Sequence, residues 1–347
     1  MHNTTPRSGA PSRRNVLGMV AGAGLLAALA GELTIALSGE DPPSDIPGTG
    51  AGAFRYERTS SPDRTLVLAD DGSVLATLTD GARTAVFTGP FRNFTEPSAT
   101  RAVVRSNSWV RLMPTAWARG QETSAWFRTW FPRTLANRGP DVLGVAMEYL
   151  TGAPDRFNSD GVRYAGRARY GPMVSQSSGH GLSTRDERSD FYDYLGVPWT
   201  FPDGTRKSPE KGRYGDVDCS GFMRLLWGYR MGLAMHDSDA PGIGLPRRAY
   251  AIAAYGPGVV IIPDTHERPK ALDSLQPGDL VFFATRNFEP NLLNHCGMYI
   301  GPDNEGHPRF LSSRQQANGP TFGDLGGTAW LDGDGFYARG FRAARRL

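Results

Sequence analysis

From Phe54 onward apolar and polar positions alternate, the period-two pattern of strands whose successive side chains point to opposite faces. RTLVLADDGSVLATLT (64–79) predicts two strands folded about an Asp-Asp-Gly turn, a hairpin signal. RTAVFTG, RAVVR and SWVRLM predict three more short strands, so residues 54–118 read as a small β-rich domain. Residues 119–155 read as a helical connection. Within it, Val142, Val145, Ala146 and Tyr149 fall at helical spacing behind Gly139-Pro140, which predicts a helix over 141–150 packed between the two parts of the chain. Gly, Ser and charged residues crowd 156–194, and 151–188 reads as a mobile loop. Ser189 is the expected N-cap of the short helix DFYDYLG, with Gly196 as its stop.

The period changes again at GDVDCSGFMRLLWGY (215–229). Asp218 is placed to cap a helix starting at Cys219, with Phe222, Leu225, Leu226 and Tyr229 as its buried face. LQPGDLVFFA (275–284) is a Pro-Gly turn running into a continuously apolar strand. HCGMYIG (295–301), RFLSS (309–313) and GFYARGFRAARR (335–346) predict three further strands, the last closing the sheet with FRAARRL as a solvated edge. A helix ahead of an antiparallel run of strands gives an α+β fold class.

With 347 residues the chain is long enough for about two domains. Its 38 basic and 35 acidic residues, net +3, exclude a strongly basic nucleic-acid binder and an acidic disordered tail. Residues 1–38 are of a different kind. Arg13-Arg14 ahead of VLGMVAGAGLLAALAG resembles a twin-arginine export signal, and Ala28-Leu29-Ala30 has the small-x-small form of a cleavage site. The apolar run is too short for a spanning helix of about 20 residues, and Glu32 follows it. No cysteine stands after it to carry a lipid anchor. Residues 39–53 are a Pro/Gly/Ser linker. The expectation is a protein exported by the twin-arginine route, secreted or wall-associated, that meets the membrane only transiently, in a compartment where disulfides persist.

The candidate chemistry centres on Cys219, the first of two cysteines. A thiol in the first turn of a helix faces unpaired N–H groups and the positive end of the helix dipole. Such placement lowers a cysteine pKa from about 8.5 into the range of about 3.5–7.5. Ser220 and Gly221 add little bulk, so a substrate carbonyl could approach N–H donors at the helix start. A thiolate also needs a proton donor for its leaving group. Of six histidines, His2 lies in the signal, His180, His236, His266 and His307 lie in polar turns, and only His295 begins an apolar strand.

Three motifs then stand in order: Asp218-Cys219-Ser220-Gly221-Phe222, Pro277-Gly278-Asp279-Leu280-Val281-Phe282-Phe283, and His295-x-Gly297-Met298-Tyr299-Ile300-Gly301. Over residues 195–347 they resemble the NlpC/P60 family of cell-wall cysteine peptidases. The resemblance implies a papain-like α+β core without cofactor or metal. It also implies hydrolysis of peptidoglycan stem peptides, typically between D-glutamate and a diamino acid. Cys219 would be nucleophile and His295 base. The residue that orients the base falls in Phe310-Leu311-Ser312-Ser313-Arg314, at Ser312. Where relatives carry Pro-Tyr-x-Trp-Gly-Gly, this chain has Pro198-Trp199-Thr200-Phe201-Pro202, with Trp199 in the tyrosine's place. Asp218, Ser220, Trp199 and Arg247 are the expected substrate contacts, Arg247 facing an anionic group. Two alternatives stay open: an amidase acting at the sugar–peptide junction with the same Cys/His pair, and a non-catalytic wall-binding scaffold.

Cys296 directly follows the expected base. A disulfide to Cys219 could add about 4 kcal/mol of stability in the chain-entropy model. Strand alternation argues against it: if His295 faces Cys219, Cys296 faces away, as a small buried hydrophobe. The chain has no CxxC or HExxH, so no metal site is expected.

Overall fold

In a computed structural model that describes residues 54–174, 184–286 and 291–347, the β-rich region is a five-stranded antiparallel meander. The expected export signal and linker, and residues 175–183 of the expected mobile loop, lie outside the described residues. The strands are β1 (Arg55–Thr59), β2 (Arg64–Leu68), β3 (Val74–Thr79), β4 (Thr84–Thr95) and β5 (Val103–Leu112). The hairpin over Asp70-Asp71-Gly72 forms as the sequence predicts. The three expected short strands are instead two long ones. Thr88 pairs with Ser108 and Arg92 with Ser106, and an irregularity in β4 absorbs Gly89-Pro90 without ending the strand.

Helix α1 (Ala125–Ala136) lays Phe127 and Phe131 on one face of this meander, against Val67, Leu78, Phe87 and Trp117. Helix α2 (Val142–Met147) begins after Asp141, whose carboxylate accepts from the N–H of Gly144 at 2.9 Å and of Val110 in β5 at 2.6 Å. Arg92 pairs with the same carboxylate at 2.6 Å. Val142, Val145 and Ala146 share a core with Val104 and Val110 on one side and Phe222 and Leu226 on the other, so α2 packs between the parts as expected.

Helix α3 (Phe191–Leu195) is capped by Asp190, not Ser189, with Asp193 completing a capping box and Gly196 ending the helix. Ser189 is otherwise engaged: its hydroxyl accepts from Arg213 at 3.1 Å and its carbonyl from the Asp218 N–H at 2.9 Å. Helix α4 (Cys219–Met223) starts where predicted, the Asp218 carboxylate accepting from the Gly221 N–H at 2.7 Å, and continues as a π-helix over Arg224–Arg230. Cys219 through Gly228 are all buried; Tyr229 is only half-buried. Gly221 is required for packing rather than for substrate access. A Cβ there would lie 2.5 Å from the Ser189 carbonyl oxygen.

After α5 (Ala249–Tyr255) comes the second sheet: β6 (Val259–Ile262), β7 (Leu280–Phe283), β8 (His295–Pro302), β9 (Pro308–Arg314), β10 (Gly319–Thr321) and, behind α6 (Phe336–Gly340), β11 (Phe341–Arg346). The order is β6-β11-β7-β8-β9-β10, every pair antiparallel, which is the expected α+β arrangement. One face carries Leu280, Phe282, Cys296, Met298 and Leu311 against α4; the other carries Val281, Phe283, Phe310, Tyr337 and Phe341.

The last strand is no solvated edge. It lies between β6 and β7, and Arg346 is 1% exposed. Its guanidinium makes two 2.8 Å bonds to the Asp279 carboxylate and a third, at 2.7 Å, to Thr79 in β3. The Leu347 carbonyl accepts from the N–H groups of Arg83 and Thr84 at 2.8 and 2.6 Å. The chain end therefore ties the meander to the second sheet, and the Asp of Pro277-Gly278-Asp279 is the anion that draws Arg346 inside.

Arg346→Met should strand the Asp279 carboxylate without its cation and cost about 3–5 kcal/mol, measured by urea unfolding. Arg339→Ala, at an exposed site, should change stability by no more than about 0.5 kcal/mol.

Candidate active site

Two elements meet at the site: the first turn of α4 and the first residue of β8. The Asp218 cap fixes where α4 begins and so fixes Cys219, whose side chain is 7% exposed. It sits in a narrow cleft of about 70 Å³ lined by Asp218, Ser220, Glu187, Ala249, Arg286 and Asn294. His295, 8% exposed, packs its ring at a tilt against Phe283 and Tyr337, with centroids 5.8 and 5.2 Å away. Its Nε2 is 3.1 Å from Ser312 Oγ, the partner expected from the sequence. The Cys219 sulfur lies 4.0 Å from the Asn294 carbonyl oxygen, next to His295 in the chain, and feels the charge of the imidazole. Cys219, His295 and Ser312 are thus brought together as a chain of side chains.

The Cys219 thiol is held well below the usual thiol range. The largest cause is a hydrogen bond from the Cys296 thiol; burial opposes the shift, and the charge and hydrogen bond of His295 and the Cys296 N–H reinforce it. Burial, followed by the neighbouring Cys219, pushes the Cys296 thiol well above that range. This overturns the expectation that Cys296 faces away. Cys296 lies on the α4 side of the sheet, in the core that includes Cys219. His295 packs on the opposite face, among Phe283 and Tyr337. Alternation holds along β8.

The expected substrate contacts fare differently. Asp218 and Ser220 line the cleft, yet both are 2% exposed and bonded to Arg247: Nη2 to the Asp218 carboxylate at 2.7 Å, Nη1 to Ser220 Oγ at 2.8 Å. Burial pushes the Asp218 carboxyl up, against the pull of Arg247. Arg247 also approaches Asp190 at 3.4 Å, so its charge is directed inward, not at an anionic ligand. Trp199 packs edge-on against Phe191 and Tyr229, at 5.1 and 5.9 Å, away from the cleft-lining residues.

Other residues complete the site. Tyr170, 3% exposed, has its hydroxyl pushed well above its usual range by burial and then by the charge of Cys219. It lines a larger cleft of about 570 Å³ on the His295 side, with Arg185, Gln315, Phe336 and Tyr337. Glu187, Arg286 and Asn294 border both clefts, and Glu187 pairs with Arg286 at 2.5 Å. Burial, and next the Cys219 charge, push the Glu187 carboxyl up. None of these residues belongs to a sequence motif. Tyr170 and Glu187 come from the segment read as a loop, and only the tertiary fold brings them to the thiol. Among the described residues, no group of three or more His, Cys, Asp or Glu side chains is placed to hold a metal ion.

The NlpC/P60 family model matches residues 196–332. Proteins of the NlpC/P60 family are generally cysteine peptidases or hydrolases that act on peptidoglycan peptides. Two solved structures are similar over 86% of this chain, each at 13% identity: NlpC1 of Trichomonas vaginalis, with 90% of its length covered and a TM-score of 0.27, and NlpC2 of the same organism, with 94% covered and 0.26. No curated protein matches the chain. Cys219, His295 and Ser312 lie within the NlpC/P60 match, while Tyr170, Arg185, Glu187 and Tyr337 lie outside it.

Because its pKa is depressed, Cys219 stays a thiolate as pH falls below the ordinary thiol value of about 8.5. The midpoint of the pH–rate profile for iodoacetamide labelling of Cys219 should therefore lie well below 8.5. His295→Ala removes one of the lowering influences and should move that midpoint up. A wild-type midpoint at the ordinary value would contradict the hydrogen-bonding arrangement described.

Proposed function

We propose that the protein is an exported cysteine peptidase that hydrolyses amide bonds in peptidoglycan stem peptides, between D-glutamate and a diamino acid. The observation that carries this reading is a buried cysteine at a helix start that lines a cleft, beside a strand histidine whose ring is bonded to a serine. The match of the surrounding residues to the NlpC/P60 family supports it. Export rests on the Arg13-Arg14 signal pattern.

The Cys219 thiolate attacks the scissile carbonyl, and N–H groups at the start of α4 face the oxyanion that forms. His295, as imidazolium, passes its proton to the leaving amine, and a thioester remains on Cys219. Water then enters, His295 takes its proton, and the acid is released. Ser312 fixes the ring so that one nitrogen serves the sulfur and the leaving group while the other stays bonded to the hydroxyl. The cleft walls suit a substrate with charges of both signs beside the scissile bond: Arg185 and Arg286 for a carboxylate, Glu187 for the ammonium of a diamino acid.

Mass analysis of products from defined muropeptides is the test. Wild type should release fragments cut after D-glutamate, Cys219→Ala none, and His295→Ala should be about 10²–10⁴-fold slower. Fragments cut at the sugar–peptide junction would identify an amidase instead. Absence of any Cys219-dependent product would leave a wall-binding protein.

Arg286→Gln should raise KM for stem peptides with a free D-glutamate carboxylate about tenfold or more, since a hydrogen bond to a charged group contributes about 1.5–3 kcal/mol. Peptides amidated at that carboxylate should respond much less. Steady-state kinetics on the two substrates measures the difference.

A further inference from the structure

The larger cleft, of about 570 Å³, holds two phenols that the proposed hydrolysis does not use. Tyr170 and Tyr337 are 3% and 6% exposed, and both line it together with His295. Among the described residues neither hydroxyl has a hydrogen-bond partner, yet neither oxygen is among the unpartnered polar atoms sealed from solvent, so both open on the cleft. A tyrosine buried to this degree ordinarily finds its hydroxyl a partner within the protein. Both side chains are held firmly. Arg169, next to Tyr170, donates its N–H to the Gly215 carbonyl at 2.9 Å and accepts from the Val217 N–H at 2.7 Å; the Tyr170 N–H donates to Asn318 Oδ1 at 3.4 Å. Tyr337, in α6, packs against Phe310 and Phe283 at 5.3 and 5.7 Å, with the Arg314 guanidinium 4.5 Å from its ring centroid. Burial, the largest cause, pushes both hydroxyls above their usual range, so both stay protonated and able to donate.

We propose that Tyr170 and Tyr337 are substrate-contact residues whose hydroxyls donate hydrogen bonds to backbone carbonyl oxygens of a peptide lying in the cleft on the His295 side. The neighbouring polar groups single out that acceptor. The cleft presents charge through Arg185, Arg286 and Glu187, which suit charged side groups of a ligand. The Asn294 amide is closed on Thr285, its Oδ1 accepting from the Thr285 N–H at 2.7 Å and its Nδ2 donating to Oγ1 at 2.9 Å. Two neutral donors remain, and the neutral acceptor that a peptide repeats along its length is the main-chain carbonyl. Donors fixed before the ligand arrives lose little freedom when it binds. Both tyrosines lie outside residues 196–332, so this contact is supplied by segments flanking the family match. The identity of the peptide rests on the peptidase reading; the two donors do not.

Binding is measured apart from turnover. The Cys219→Ala protein is titrated calorimetrically with the stem peptide L-Ala–γ-D-Glu–diamino acid–D-Ala, by itself and combined with Tyr170→Phe or Tyr337→Phe. Each phenylalanine should weaken binding about three- to tenfold, the net contribution of one neutral hydrogen bond. Neither should lower the thermal unfolding midpoint, because neither hydroxyl has a partner to lose in the free protein. Replacing the contacted peptide carbonyl with a thiocarbonyl, a poorer acceptor, should weaken binding to the Cys219→Ala parent but have no further effect once the matching hydroxyl is gone. Three results overturn the proposal: both variants binding within about twofold of the parent, stability falling in place of affinity, or thiocarbonyls acting equally with and without the hydroxyls. A stem peptide that does not bind at all overturns it together with the peptidase reading. Hydroxyl-dependent binding without Cys219-dependent cleavage by wild type overturns that reading alone and supports the two contacts.

Discussion

Beneath the first turn of α4, two aspartates and two arginines are buried together, and the placement of Cys219 follows from how they satisfy one another. Arg224 Nε lies 3.1 Å from both Asp190 oxygens, and its Nη1 bonds the carbonyls of His236, Leu245 and Pro246. Arg247 spans the two carboxylates, at 2.7 Å from Asp218 and 3.4 Å from Asp190. Burying four charges is unfavourable unless each is paired and hydrogen-bonded. Here the pairing couples the caps of α3 and α4 to the turn around Leu245-Pro246-Arg247. Asp190 caps one helix, Asp218 the other, and Cys219 follows Asp218 directly. A shift of that cap would move the thiol with it. Residues that resemblance assigns to substrate, Asp218, Ser220 and Arg247, are therefore already committed to holding the helix start, although the first two still form cleft wall.

The same economy of partners shapes the electrostatics of the thiol. Ser312, behind His295, is neutral, and its oxygen also accepts from Arg314 Nε at 3.1 Å. Arg314 is buried and lies over the rings of Phe310 and Tyr337. The hydroxyl behind the ring is thus itself held by a buried cation. The low thiol has a second source of support in Cys296, whose side chain lies on the other face of the strand from the ring. Support for the charged sulfur is thus shared between two residues adjacent in sequence and opposite in facing.

What the sequence made legible was what depends on neighbours along the chain. Asp218 ahead of Cys219, the Pro277-Gly278 turn into β7, and the apolar runs of β8 and β9 are local signals, and the elements they foretell are present. The Cys219–His295–Ser312 chain follows from those elements and the order of the motifs. Misreadings arose where a tertiary partner decides. Ser189 has good N-cap chemistry, but Arg213 and the Asp218 N–H take its oxygens, so Asp190 caps instead. FRAARRL has the charge of an exposed edge, but Asp279, Thr79 and the carbonyls at the end of α5 draw Arg346 and Arg345 inside. Strict alternation places Cys296 opposite to His295, as found, but it is Cys296 and not His295 that shares the α4-side core with Cys219.

Chemistry and selectivity also have different origins along the chain. Cys219, His295 and Ser312 sit on α4, β8 and β9, elements whose positions are fixed by the sheet and the buried ion cluster. The walls that a ligand would meet come from Tyr170, Arg185 and Glu187 upstream of the NlpC/P60 match and from Phe336 and Tyr337 beyond it. Those walls can change in charge or shape without disturbing the pairing beneath α4, because none of them contributes to it. A half-exposed pair such as Glu187–Arg286 adds little to stability, on the order of 0–1 kcal/mol, so its charges are available to a ligand at small cost to the fold. The walls of the cleft are therefore built by segments that none of the three motifs marks, and it is the tertiary packing around Cys219 that makes them one site.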